Sequence, residues 1–393
     1  MKNEKTIEKK SAQDFIYLTS CMLNAVAPDR SRLETMDLSK VYKLAKRHML
    51  ASAIYMSLEQ ADCLMYMDKE LAAEWRMYTD AVLRKNILMN VERKRILDRF
   101  ESEGIWYALL KGCIIADYYP DFGMREMADN DILFDAACQE RVRDIMIERG
   151  YHVESYKESH HDVYLKEPAY NFEMHRDLVD RLDFSGLYMY FADVSERLIR
   201  NTDRQYECHL SVEDFYIFFI GHAFKHYEYA GGTGLRTLAD TYLLNRQLKM
   251  DRERLEQTFK TLRINKFEQE LAHLADKVFN EPEIIYRSSG DTKLTFSERQ
   301  MLEFILGSGV FGTRNNRIRK QLVRDGRSDD IRFKTKVIFI LHRIYPKGRG
   351  YLERYPFFYK HVWAYIFLPV YRLARRGNIK SLFREAKLAW KIR

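Results

Sequence analysis

The chain has 393 residues, 46% hydrophobic and 31% charged, which excludes a disordered polymer and fits two or three packed units. Its five cysteines, Cys21, Cys63, Cys113, Cys138 and Cys208, are scattered and never spaced as CxxC, which argues against a disulfide framework or a structural zinc site and predicts a reducing, cytoplasmic setting. The net charge of +8 is uneven: Arg332 to Arg393 holds 16 Lys/Arg against Glu353 and Glu385, a local +14 that leaves −6 on the rest.

The first residues, MKNEKTIEKKSAQDF, are too polar for a secretory signal. From about residue 12 to 100 the pattern is helical. Leu71, Trp75, Tyr78, Val82, Met89, Ile96 and Phe100 recur at steps of three, four or seven and form one apolar stripe, which predicts a long helix facing a core. After Gly104 the character changes: Ile105 to Leu110 reads as a short buried strand, and Gly112 to Tyr119 as a helix stopped by Pro120. Asn130 to Phe134 reads as a strand and 137 to 149 as a helix closed by Gly150. Tyr151 to Tyr156, Asp162 to Lys166 and Tyr170 to His175 are further strands, the last two joined at Glu167-Pro168-Ala169. Strands alternating with helices predict an α/β (α+β) unit with a mixed sheet.

Helical periodicity returns from Val212 to Leu248 and continues over 251 to 280 and 296 to 306. Gly307-Ser308-Gly309-Val310-Phe311-Gly312 matches GxGxxG but follows a helix instead of a strand, so it reads as a helix-ending loop. The apolar run Trp363 to Tyr371 is nine residues long and broken by Pro369, less than half of the roughly 20 that a transmembrane helix needs. Flanked by Lys and Arg, it is suited to packing on the body or to peripheral contact with an anionic membrane or polymer, and the basic tail also admits nucleic-acid contact. The expected organisation is a helical region over 1–100, a core over 101–180, a helical domain over 181–312 and a basic, aromatic helical tail over 313–393.

The chemistry centres on Asp129-Asn130-Asp131 at the mouth of a strand. Residues two apart on a strand share a face with about 6–7 Å between α-carbons, so two carboxylates so placed can converge on one hard cation. Mg²⁺ is held by one or two carboxylates together with substrate phosphates, and paired ions sit roughly 3.5–4 Å apart, which suits phosphoryl or nucleotidyl transfer. An Asp-x-Asp alone is more often a pair of solvated loop residues or a helix cap. Its neighbours add weight. Glycine at Gly112 lets backbone approach a phosphate and Lys111 brings a mobile cation. Arg125 offers a fork-shaped donor to a triphosphate. On the strand through Asn171 to His175, Glu173 and His175 share one face, and a third carboxylate is placed to complete metal coordination or to deprotonate an acceptor hydroxyl. His222 and His226, at i and i+4, lack the glutamate of HExxH, and Arg236 and Asp240 are spaced for a helix salt bridge.

Leu109-Leu110-Lys111-Gly112, Tyr119-Pro120, Arg125 and Asp129-Asn130-Asp131, taken together, resemble the uncharacterised nucleotidyltransferase family of bacterial proteins, a branch of the polymerase-β-like nucleotidyltransferase superfamily. Glu173 with His175, His222-Ala223-Phe224-Lys225-His226, Gly234-Leu235-Arg236 and Asp240 extend the resemblance over roughly residues 15 to 312. It implies that Asp129, Asp131 and Glu173 are catalytic and bind Mg²⁺. By the same resemblance Lys111, Gly112, Arg125 and His175 are expected to contact a nucleoside triphosphate, with Lys111-Gly112 in place of the glycine-serine pair of better-known members. The expected reaction passes a nucleoside monophosphate to an acceptor, whether protein, sugar or small molecule. The competing expectation is a degenerate nucleotide-binding or scaffold protein serving surface-polysaccharide or membrane assembly. Asn130 departs from the family pattern, which usually has an apolar residue between the acids.

Overall fold

Four helices, α1 (Lys2–Leu23), α2 (Arg30–Leu33), α3 (Leu38–Arg47) and α4 (Ala51–Gln60), lead to the longest element of the chain, α5 (Lys69–Glu103). Asp68 opens α5, its carboxylate accepting the Leu71 N–H at 2.7 Å, and Gly104 closes it at φ +73°. The predicted stripe is its buried face: Leu71, Trp75, Met89, Ile96 and Phe100 are all buried. The computed structural model describes residues 2–181, 185–281, 294–326, 333–345, 355–371 and 379–391.

The next elements are β1 (Tyr107–Leu109), α6 (Gly112–Ile115), β2 (Asn130–Phe134), α7 (Gln139–Glu148), β3 (His152–Ser155), β4 (His161–Lys166) and β5 (Tyr170–His175). Then come α8 (Ser185–Tyr190), α9 (Val194–Arg197), β6 (Ile199–Arg200) and β7 (Glu207–His209). The strands form one mixed sheet in the order β3-β4-β5-β2-β1-β7-β6. Its fold class, α/β with flanking helices, is the one expected. β2 and β5 have the predicted bounds. β1 is shorter than Ile105–Leu110 because the Ile105 N–H still caps α5, bonding to the Phe100 carbonyl at 3.0 Å. The helix after Gly112 gives way to a 3₁₀ turn at Ala116–Tyr118, since Tyr119 must be extended before Pro120. β6 and β7 were not anticipated. They are two and three residues long, too short for alternation to register.

One face of the sheet packs on α5 and α7 through Tyr107, Ile132, Phe134, Tyr164, Phe172 and Met174 against Ile96, Phe100, Val142 and Ile145. Because side chains alternate along a strand, this burial dictates that Asp131 and Glu173 emerge on the other face. The predicted helical stretch 212–248 is broken at Gly231 to Gly234 into α10 (Val212–Lys225), a π turn (His226–Ala230) and α11 (Leu235–Gln247). α12 (Arg252–Leu262), α13 (Asn265–Asn280) and α14 (Phe296–Ser308) follow, and Gly309, at φ +68°, ends α14.

The chain divides into two compact units, one of Met1–Phe224 with Gly234–Val310 and one of Lys225–Thr233 with Phe311–Arg393. The second contains α15 (Arg314–Gly326), α16 (Phe333–Ile344), α17 (Pro356–Lys360), α18 (Val362–Tyr365) and α19 (Ile379–Lys391). A small core of Ile318, Leu322, Phe339 and Ala389 joins α15, α16 and α19, and Glu385 accepts hydrogen bonds from Arg317 and Arg343. In the run Trp363 to Tyr371, Leu368 is buried while Trp363, Ile366, Phe367 and Val370 are exposed. Parts of the basic tail, 346–354 and 372–378, lie outside the described residues. Among the described residues no helix is long and apolar enough to cross a membrane.

Candidate functional site

β2 and β5 run parallel, with Asp131 directly across from Glu173 and Leu133 across from His175. β4 runs antiparallel to β5 on its far side and sets His161 opposite His175. An acid on β2, an acid and a histidine on β5 and a histidine on β4 therefore share one face. His175 Nε2 donates to Asp131 Oδ1 at 2.9 Å and stands 3.7 Å from Glu173 Oε2. The ligand atoms of Asp131, Glu173 and His175 all lie within 4.8 Å of one another.

Lys111 reaches this group from the turn between β1 and α6. Its Nζ is 2.6 Å from Asp131 Oδ1 and 4.0 Å from Glu173 Oε2. The residue sits at φ +43°, ψ −118°, a region a β-carbon disfavours at a cost of about 1–3 kcal/mol, and such conformations concentrate at functional sites. The Lys111 carbonyl compensates in part by accepting the N–H groups of Ile114 and Ile115 at 3.1 and 3.0 Å. Asp129, just ahead of β2, stands outside the tight group but within its field. Burial, and then the charges of Asp131 and Glu173, push its pKa up to about 6. Burial raises that of Asp131 too, but the ammonium of Lys111 and the hydrogen bond from His175 overcome this and hold it well below the usual carboxylate range. For His175, burial is outweighed by its bonds to Asp131 and Glu173, and its pKa is raised.

α5 fixes the segment that carries the acids. Asn86 donates to the Arg125 carbonyl at 3.1 Å and accepts the Met127 N–H at 3.3 Å, and Lys85 donates to the Ala128 carbonyl at 3.3 Å. Arg93 donates to Asn130 Oδ1 at 2.9 Å, so the polar residue between the two aspartates has a hydrogen-bond partner on α5. Glu126 accepts from the Tyr78 hydroxyl at 2.7 Å and the Ser52 N–H at 3.1 Å.

Of the residues singled out from sequence, Lys111, Asp129, Asp131, Glu173 and His175 are brought together and Arg125 is turned elsewhere. Its guanidinium forks onto Asp240 of α11, Nε to Oδ1 at 3.1 Å and Nη2 to Oδ2 at 2.9 Å, and the Tyr119 hydroxyl donates to the same carboxylate at 2.8 Å. Gly112 makes room for it: a β-carbon there would lie 2.6 Å from Arg125 Nη1. Asp240 thus pairs with Arg125, while Arg236, spaced to bridge it, donates to the Glu126 carbonyl at 2.8 Å. On its other side Arg125 lines a cavity of about 290 Å³ together with Asn90, Arg93, Cys113 and Met127. His222 lies on α10 and His226 in the π turn that follows.

Sequence reasoning missed His160 and His161, whose rings lie 5.4 and 4.9 Å from that of His175. The signal was a His-His pair in a chain with only 11 histidines, one strand ahead of Glu173 and His175.

The donor set fits a hard divalent cation. Three carboxylates gather near one close ammonium, and oxygen ligands of this kind suit such an ion. In comparisons with known proteins, the model of the uncharacterised nucleotidyltransferase family matches residues 34–280. Neither the curated proteins nor the solved structures yield a match.

Proposed function

The chain belongs to the uncharacterised nucleotidyltransferase family, and from that membership we propose that its carboxylate cluster transfers a nucleoside monophosphate from a nucleoside triphosphate to an acceptor group. The observation that carries the reading is the register pairing of Asp131 with Glu173, which aims two acids from separate strands at one point with Lys111 beside them. Asp129, Asp131 and Glu173 would hold Mg²⁺, and the ion, when bound, neutralises and orients triphosphate oxygens for in-line displacement.

The protein's own residues supply the rest. Lys111 carries a positive charge on a flexible stem, suited to the phosphates once it leaves Asp131. His175, sealed from solvent, holds the Asp131 carboxylate in orientation through its Nε2–H. Glu173 is one-fifth exposed while Asp131 is 3% exposed, so Glu173 is the acid open to an incoming acceptor and positioned to take its proton. The acceptor oxygen then bonds to the α-phosphorus, the α–β bridge breaks and pyrophosphate leaves. Arg125, bound to Asp240, contributes by fixing the segment that leads to Asp129.

Incubating the full chain with α-labelled nucleoside triphosphates, Mg²⁺ and a cell extract tests this directly. Labelled acceptor and released pyrophosphate are the expected products. Asp131→Asn is expected to lower both by about 10³-fold or more with circular dichroism unchanged. Undiminished turnover in that variant would refute the assignment.

A further inference from the structure

We propose that His160, His161 and His175 form a second cation site, selective for a transition metal of the Zn²⁺ class, beside the carboxylates. One ring nitrogen from each of the three lies within 4.8 Å of the other two. The His160 Nε2 to His161 Nδ1 distance is 3.3 Å. That matches the roughly 3.3–3.4 Å edge of a tetrahedron whose metal–nitrogen bonds are about 2.0–2.1 Å.

The outer contacts make the same point. A metal-binding histidine turns one nitrogen to the ion and gives the other, as N–H, to a carboxylate or similar acceptor that fixes its tautomer. His160 and His175 do this. His160 Nδ1 lies 2.9 Å from Ser159 Oγ and 3.8 Å from Asp180 Oδ2, and Ser159 in turn donates to Asp180 at 3.5 Å. His161 Nε2 lies 3.8 Å from Glu173 Oε2, beyond hydrogen-bond distance. His175 Nε2 donates to Asp131, which leaves the lone pair on Nδ1, and that atom is buried with no hydrogen-bond partner among the described residues. Burying a polar atom without a partner is costly, and an ion at the centre of the three rings removes that cost.

Three imidazole ligands suit Zn²⁺ and its neighbours in the first transition row over Mg²⁺, which prefers oxygen. Three protein ligands also leave a fourth position for water or a substrate oxygen, the pattern of a reactive and not a purely structural site. The site shares His175 and Glu173 with the surroundings of the proposed Mg²⁺ centre but does not rest on the transfer reaction.

The full chain, stripped by chelator and titrated with Co²⁺ without nucleotide or Mg²⁺, is expected to bind one equivalent and develop the intense visible absorption of a four-coordinate ion. His160→Gln and His161→Gln are each expected to weaken binding by about tenfold or more. Ser159→Ala keeps all three ligands and is expected to weaken it less. This last variant keeps the test decisive if a histidine change disturbs folding, as seen by circular dichroism. Binding that survives both histidine changes but is lost in Asp129→Asn puts the ion on the carboxylates and overturns the site, as does a titration with no absorption band. Four-coordinate Co²⁺ binding in a chain that transfers no nucleotide would sink the transfer reaction alone.

Discussion

Two buried ion clusters stand a few residues apart in this chain, and they are built on opposite principles. In one, Arg125 and Asp240 meet as a fork with Tyr119 on the same carboxylate, so the closest charges are paired one to one through matched donors and acceptors. In the other, Asp129, Asp131 and Glu173 face Lys111 as the close ammonium, and burial, then the charges of Asp131 and Glu173, raise the pKa of Asp129 to about 6. A matched pair needs no further partner, whereas the acidic group is what the proposed cation would complete. Charge balance among the closest contacts, more than burial, separates the structural pair from the candidate site, since Asp240 and Asp131 are both buried.

The largest effect that sharpens this contrast is the loss of transfer in Asp131→Asn, without unfolding. Asp240→Asn is the mirror image. It strands a buried guanidinium, and breaking such a pair costs about 3–5 kcal/mol, a lowered denaturation midpoint that urea titration reads directly. The double change Arg125→Met with Asp240→Leu is expected to recover most of that loss, because well-packed apolar residues replace a buried pair at little cost. If Asp240→Asn leaves stability untouched yet removes transfer, the two clusters are one machine and the contrast fails.

Much of the unbalanced cluster was legible in the sequence, and the balanced one was not, for a physical reason. The alternation of apolar residues in Ile132, Phe134, Phe172 and Met174 fixes which face is buried, and that alone points Asp131, Glu173 and His175 the other way. The pairing of Arg125 with Asp240 spans 115 positions and leaves no periodic trace; the i,i+4 spacing of Arg236 and Asp240 instead suggested a local bridge. The ties from Asn86 and Arg93 to the acid-bearing segment are hidden in the same way, as polar residues on an otherwise apolar helix face. His160 escaped because it lies just ahead of β4, where strand parity gives no direction to a side chain.

A smaller effect follows from the raised pKa of Asp129. Its folded value of about 6 lies above that of a free carboxylate, so the fold favours its protonated form. The linkage sign is then negative: as pH rises from about 4 through 6, ionising Asp129 removes stability from the metal-free protein. Asp129→Asn is expected to be more stable than the parent at pH 8 without divalent ions, the gap closing toward pH 4. Mg²⁺ affinity of the parent runs the other way, rising with pH through about 6 as the proton leaves, and calorimetric titration from pH 5 to 8 reads it. A flat profile would mean that Asp129 is not part of the cation's field.

The smallest change is expected at Lys111, where the sign carries the argument. Its ammonium lies against Asp131 Oδ1 at 2.6 Å, in contact with an oxygen assigned to the ion. If lysine and metal compete for Asp131, Lys111→Met removes the competitor, and Mg²⁺ binding without nucleotide becomes tighter by about three- to tenfold, of the order expected for one screened like-charge contact. In the same variant nucleoside triphosphate binding weakens, because the cation that would follow the phosphates is gone. A fixed structural partner predicts the reverse for the metal, since losing Lys111 would then loosen Asp131 and lower Mg²⁺ affinity. Opposite signs from one substitution thus decide whether Lys111 belongs with the mobile, unbalanced cluster or with locked pairs such as Arg125 and Asp240.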